Sequence, residues 1–167
     1  PFIIGTSMGG LMAMIMASLR PGAFRAMVLN DVGPVVEQAG IERIASYVGA
    51  GTPICDWDDA AAYCRRTNGH AFPEYDNRQW NAFARRLFRE NHAGKPELAY
   101  DPAIAAGLSS PQPSAVPPDL WPMWYGLAAI PVLVLRGELS DILSDETVKE
   151  MARTHPGMRA LTVSRVG

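Results

Sequence analysis

The sequence is poor in cysteine, in histidine and in net charge, and each shortage removes a class of function. Two cysteines, Cys55 and Cys64, stand nine positions apart. That is none of the short paired spacings of a zinc site, and two are too few for a disulfide-stapled scaffold. They read as two buried or free thiols. Fifteen Lys plus Arg against 17 Asp plus Glu leave a formal charge of −2. This offers no basic footprint for nucleic acid and no polybasic patch for a membrane surface. The longest apolar stretch, Leu11 to Leu19, falls well short of the roughly 18 residues of a membrane span. An initiator Met is also lacking: Pro1 leads at once into Phe2-Ile3-Ile4, and the chain stops at Val166-Gly167 just after a strand-like run. We therefore expect a fragment cut at both ends, which leaves the compartment open, with the cytoplasm favoured. What is present is an ordinary globular composition, 48% apolar and 19% charged over 167 residues, about one domain's worth.

Four short strand signals stand out: Phe2 to Gly5, Ala26 to Asn30, Val132 to Arg136 and Ala160 to Ser164. Between the first two, Met8 to Leu19 is apolar nearly all round and ends at Arg20-Pro21-Gly22, which predicts a buried crossover helix. Between the last two, Asp145 to Thr154 carries Val148, Met151 and Ala152 at helical spacing and ends at His155-Pro156-Gly157. Two strand-helix-strand units predict an α/β fold, a partial doubly wound parallel sheet of about four strands. The interval from Pro34 to Ile130 is too long for any α/β connection. An inserted helical cap is expected there, so that core segments 1–33 and 131–167 flank an insertion at 34–130. Within it, Ile41 to Val48, Trp57 to Arg66 and Arg78 to Glu90 read as helices, with Asp56 and Asp59 spaced like a capping box. The Pro-rich run Ser109 to Pro118 reads as the chain's return to the core. Nearly all the aromatic residues fall in the insertion. They can hold a small helical subdomain together, or some of them, such as Trp80, Phe83, Trp121, Trp124 and Tyr125, can line an apolar pocket.

The chemistry-bearing pattern is Gly5-Thr6-Ser7-Met8-Gly9, followed by Gly10, at the point where a buried strand meets a buried helix. A G-x-S-x-G sequence in that context is a nucleophile elbow. The serine sits on a turn so sharp that its backbone is strained, and side chains at positions 5 and 9 are expected to clash with the adjoining strand and helix. Ser7 is thereby exposed at a helix N-terminus, where the following amide, Met8 N–H, can donate to a developing oxyanion.

With GTSMGG at 5–10, LNDVGP at 29–34 and PVLVLRGELSDIL at 131–143, the chain resembles the α/β-hydrolase family over essentially its whole length. It is most similar to the serine members with a helical cap: esterases, lactonases and carbon–carbon bond hydrolases. The resemblance implies a triad in the order Ser, acid, His. Asp141, five residues past the third strand, matches the acid position and would orient the histidine; Asp31, at the carboxyl end of the second strand, is the alternative acid. Glu138 and Asp145 read as a loop charge and a helix cap. The resemblance implies that the histidine stands in the loop after the last strand, just after Gly167; His155 precedes that strand and His70 and His92 fall in the insertion, all three reading as solvated surface residues. The second oxyanion donor is expected upstream of Pro1. Acyl transfer from a small, mostly apolar ester, lactone or related carbonyl substrate follows, with no metal or organic cofactor. The fragment alone should be nearly inactive. A non-catalytic binding protein of the same fold and a cofactor-free haloperoxidase-like enzyme are the alternatives. Arg78, Arg85, Arg86 and Arg89 could greet a substrate carboxylate, or simply form a solvated helix face with Arg86 and Glu90 paired. The oligomeric state is left open.

Overall fold

Alternation of apolar residues places four strands side by side in a parallel sheet. In the computed structural model, which describes residues 1–48, 53–101 and 119–167, these are β1 (Phe2–Thr6), β2 (Ala26–Asn30), β5 (Val132–Gly137) and β6 (Met158–Val163), in the order β1-β2-β5-β6. All three pairings are parallel. The register aligns Thr6 with Asn30, Asn30 with Leu135, and Gly137 with Val163, so the carboxyl ends of the strands form one edge. The remaining strands, β3 (Phe88–Glu90) and β4 (Pro96–Leu98), make a small antiparallel hairpin that the sequence reading did not anticipate. The Pro-rich run expected as a return segment lies outside the described residues.

Among the described residues there are six helices. The first, α1 (Met8–Leu19), spans the residues expected of it. Its packing is different. Gly10, Ala13, Met14 and Ala17, spaced i, i+3, i+4 and i+7, form the buried stripe, whereas Met8, Met12, Met16 and Leu19 are exposed. Likewise β1 is a sheet edge, with Phe2 and Ile4 about three-quarters exposed. The expectation of a buried strand and a helix buried all round is corrected to one covered face each, because α1 packs on β1 and β2 through the single stripe of Gly10, Ala13, Met14 and Ala17.

By compactness the chain divides into two units, Pro1–Ile41 with Ser114–Gly167, and Glu42–Pro113. The second is narrower at both ends than the insertion expected at 34–130. The helices α5 (Trp121–Tyr125) and α6 (Asp145–Thr154) belong to the first unit. Its core gathers Met14, Met27, Leu29, Trp124, Leu127, Val134, Leu143 and Met151, all essentially without solvent contact. Truncating any of these large side chains to Ala would cost about 2–5 kcal/mol.

The second unit is built on α3 (Trp57–Asn68) and α4 (Asn77–Leu87), while α2 (Gln38–Tyr47) runs across the boundary. Asp56 caps α3 through the Asp59 amide at 2.9 Å, and the Asp59 carboxylate reaches back to the amide of Cys55. A full capping box forms instead at Asp76 and Gln79 of α4. Ala60, Cys64, Trp80, Ala84 and Phe88 are its sealed core, with Phe72, Tyr75, Trp80 and Phe83 in mutual ring contact. The expected Arg86–Glu90 pair does not form, because α4 ends at Leu87 and Glu90 enters β3. Arg86 donates to the Ala82 carbonyl. Arg85 lies over the Trp57 ring at 3.6 Å, and Arg89 bridges the hairpin to Glu97.

Three measurements check this architecture. Chain 1–167 expressed by itself should self-associate through Phe2, Ile4, Met8, Met12, Met16 and Leu19. Sedimentation showing a soluble monomer with a sharp cooperative melt would contradict it. Burial also pushes the Cys64 thiol up to about 11 and the Tyr63 hydroxyl to about 12. A thiol reagent at pH 8 should therefore label Cys55 only, and Cys64 only after denaturation. Since the unfolded thiol ionises near pH 8.5 and the folded one far higher, stability should fall as pH rises through 8.5 and above.

Candidate active site

Ser7 joins β1 to α1 with φ 50° and ψ −125°, a backbone region that residues other than glycine occupy at a cost of about 1–3 kcal/mol. Three hydrogen bonds hold it there. Its N–H donates to the Asn30 carbonyl at 3.3 Å, and its own carbonyl accepts from the amides of Gly10 and Leu11. The side chain makes no capping bond to the helix, so the exposed hydroxyl is left for other chemistry. Met8 is the first residue of α1, so its N–H has no acceptor within the helix and lies at the positive end of the dipole.

Close approach of strand and helix makes the turn possible. A Cβ at Gly5 would lie 2.5 Å from the Cα of Gly10, and one at Gly10 would lie 2.4 Å from Cγ1 of Val32. At Gly9 nothing among the described residues comes within 4 Å. The pair of glycines the packing requires is thus 5 and 10, not 5 and 9 as expected. Gly9 points off the helix side that meets the sheet, one residue before the buried stripe begins.

At the same sheet edge, the segment after β5 carries Asp141, half-buried, with its backbone carbonyl where a Cβ at Gly40 would come within 2.6 Å. Arg136 ties this segment down at both ends, donating to the carbonyls of Leu143 and Glu138. Asp31, with φ 53° at the end of β2, accepts from the Gly137 amide at 3.2 Å and from the Ser140 hydroxyl at 2.7 Å. Leu139 N–H donates to the Val166 carbonyl at 2.8 Å, and Glu138 accepts from the Arg165 amide. The residues up to Gly167 therefore lie along the segment that carries Asp141. Glu138 is a loop charge that secures this stretch. Asp145, expected as a helix cap, instead occupies the first position of α6 and pairs with Lys149, which holds its carboxyl below the usual range; the cap is Ser144.

The histidines depart from expectation in one case. His155 is not solvated: it is 2% exposed. Its Nε2 lies 2.9 Å from the Leu127 carbonyl and its Nδ1 accepts from the Gly157 amide, which fixes the proton on Nε2. Beside it, the ring of Trp124 donates to Thr154. His70 and His92 are exposed in the second unit. Among the described residues no cluster could hold a metal ion, and no helix is long and apolar enough to cross a membrane.

The five aromatics considered for a pocket divide between the two units. Trp124 is sealed in the core of the first unit and Trp80 in that of the second; Phe83 packs in the ring cluster around Trp80. Trp121 stacks on the exposed Tyr125. The hydrogen-bonding role of Asp31 and Ser140 was the feature missed in sequence. Its only signal there is the spacing of an acidic residue after one strand and a serine after its neighbour.

No protein-family model matches the chain. It is 34% identical, over 98% of its length and 57% of the relative's, to a 3-hydroxybutyrate-oligomer hydrolase of Cupriavidus necator. Among solved structures it is similar to an α/β hydrolase from Novosphingobium aromaticivorans, with 41% identity and a TM-score of 0.90 over 99% of this chain and 58% of that one. An E-2-(acetamidomethylene)succinate hydrolase shares the fold at 24% identity and a TM-score of 0.72. The chain thus spans less than two thirds of the length of these relatives.

Glycine replacements separate the packing roles. Gly10→Ala should destabilise the intact protein by about 1–3 kcal/mol through overpacking, and Gly5→Ala, whose Cβ would meet the backbone of Gly9 and Gly10, by at least as much. Gly9→Ala should be neutral or stabilising by up to about 1 kcal/mol, as in any helix with open space. Urea melts of the three variants check the order.

Proposed function

This chain belongs to the α/β-hydrolase family, and from that premise we propose that the protein is a serine hydrolase acting by acyl transfer. The observation that carries the reading is Ser7: a non-glycine residue held at positive φ, exposed, and not spent on capping the helix it begins. Its Oγ attacks a substrate carbonyl as its proton passes to a histidine, the carbonyl oxygen gains negative charge, and Met8 N–H donates to it. Collapse of the tetrahedral intermediate returns the proton to the leaving group. Water then repeats the sequence to release the acid. Asp141 accepts from the histidine Nδ1–H, fixing the tautomer and balancing the imidazolium. The base is the residue expected just after Gly167. Support for that place comes from the Leu139–Val166 hydrogen bond, which brings the stretch ending at Gly167 beside the segment of Asp141.

The substrate class we propose is a small, mostly apolar ester. The Cupriavidus relative is named for hydrolysing oligomers of 3-hydroxybutyrate, whose units are joined by ester bonds, and this favours a short hydroxyacyl ester over a lactone or diketone.

In the intact protein, Ser7→Ala should abolish turnover of a 4-nitrophenyl butyrate probe. Asp141→Asn should lower kcat by about 10⁴, and chain 1–167 alone should show turnover near the uncatalysed rate. Stopped-flow release of nitrophenol in an initial burst would report the acyl-enzyme. Unchanged turnover in Ser7→Ala would sink the mechanism and promote a binding role.

A further inference from the structure

The carboxylate of Asp31 faces two donors and its neighbour Ser140 is saturated with them. Ser140 Oγ accepts from the amides of Ile142 and Leu143, both at 3.1 Å, so its lone pairs are used and its only remaining capacity is the O–H, given to Asp31 Oδ2. The other oxygen, Oδ1, accepts from the Gly137 amide. Two acceptors are therefore needed on one planar group, at a point where the backbone is already in the left-handed region. Between them, Asp31 and Ser140 fix the amides on both sides of residue 141, those of 137 and of 142–143. The same end of β2 also supplies the Asn30 carbonyl that holds the Ser7 amide.

We infer that Asp31 is not the triad acid but a positioning residue: with Ser140 it forms a clasp that sets the conformation of the 137–143 segment and so the aim of the Asp141 carboxylate. The inference rests on the reading of Asp141 as the acid. An Asn at position 31 cannot substitute. Whichever way its amide is turned, its NH₂ meets either the Gly137 N–H or a Ser140 oxygen already accepting twice, and one donor–donor conflict remains. Each oxygen of Asp31 already receives one protein donor, so both are engaged with the segment that carries Asp141.

The test uses the intact protein with 4-nitrophenyl butyrate, comparing Asp31→Asn, Ser140→Ala, Ser140→Thr, the double variant Asp31→Asn with Ser140→Ala, Asp141→Asn and Ser7→Ala. Misaiming a catalytic group by about 1 Å costs up to about 10²-fold. Asp31→Asn and Ser140→Ala should each lower kcat by about 10- to 100-fold with KM nearly unchanged. The double variant should match the worse single one, since both break one clasp. Ser140→Thr, which keeps the hydroxyl, should recover most of the loss. A loss of about 10⁴ in Asp31→Asn with Ser140→Ala near wild type would overturn the inference and make Asp31 the acid. So would near wild-type kcat in both single variants. Should Asp31→Asn fail to fold, judged by its melt, Ser140→Ala and its Thr rescue decide the matter alone. Retained activity in Ser7→Ala or Asp141→Asn is a different failure, that of the proposed mechanism itself.

Discussion

Much of the candidate site hangs on what Asn30, the last residue of β2, and Asp31, the next, offer as hydrogen-bond acceptors. The Asn30 carbonyl takes the Ser7 amide, and the Asp31 carboxylate takes Gly137 and Ser140. One strand end thus joins the turn carrying the nucleophile to the segment carrying the proposed acid. A central strand of a parallel sheet suits this purpose, because both its neighbours end at the same edge and the register between them is fixed by the ladder. Buried polar groups of this kind are costly unless each is matched, and among the described residues no buried side-chain polar atom lacks a partner.

Strain at Ser7 needs packing to hold it, and the packing comes from absence of side chain. Gly5 and Gly10 let β1 and α1 touch backbone to backbone, with Val32 filling the space that a residue at position 10 would claim. Farther along the helix, Ala13 and Ala17 keep the approach close and Met14 fills the core. The strained turn is therefore over-determined by its surroundings, which is the condition under which a backbone cost of a few kcal/mol survives in a folded protein.

The aromatic residues show why composition by itself leaves location open. Their concentration between Pro34 and Ile130 fitted either a subdomain core or a pocket, and Trp124 closes the core of one unit with His155 and Thr154, while Trp80 closes that of the other with Phe72, Tyr75 and Phe83. Each unit has its own core, and each uses large rings to fill it. His155 follows the same logic: a ring that can donate from one nitrogen and accept at the other satisfies two backbone groups in a place where water is excluded.

Local signals sufficed wherever local physics decides. The spans of α1 and α6, the position of β2 and the strand-helix-strand order were legible because apolar periodicity and the stops at Pro21-Gly22 and Pro156-Gly157 act over a few residues. The G-T-S-M-G turn was legible for the same reason, its strain being a property of consecutive residues. What sequence could not settle were matters of contact between distant segments. Which face of α1 is covered, that Gly10 rather than Gly9 is the tight one, and that the rings of Trp124 and His155 meet are consequences of packing. The hairpin of β3 and β4 was missed because three-residue strands have no period to read. The partnership of Asp31 with Ser140 spans more than a hundred residues of chain, and only the parallel register of β2 and β5 brings the two side chains within 2.7 Å.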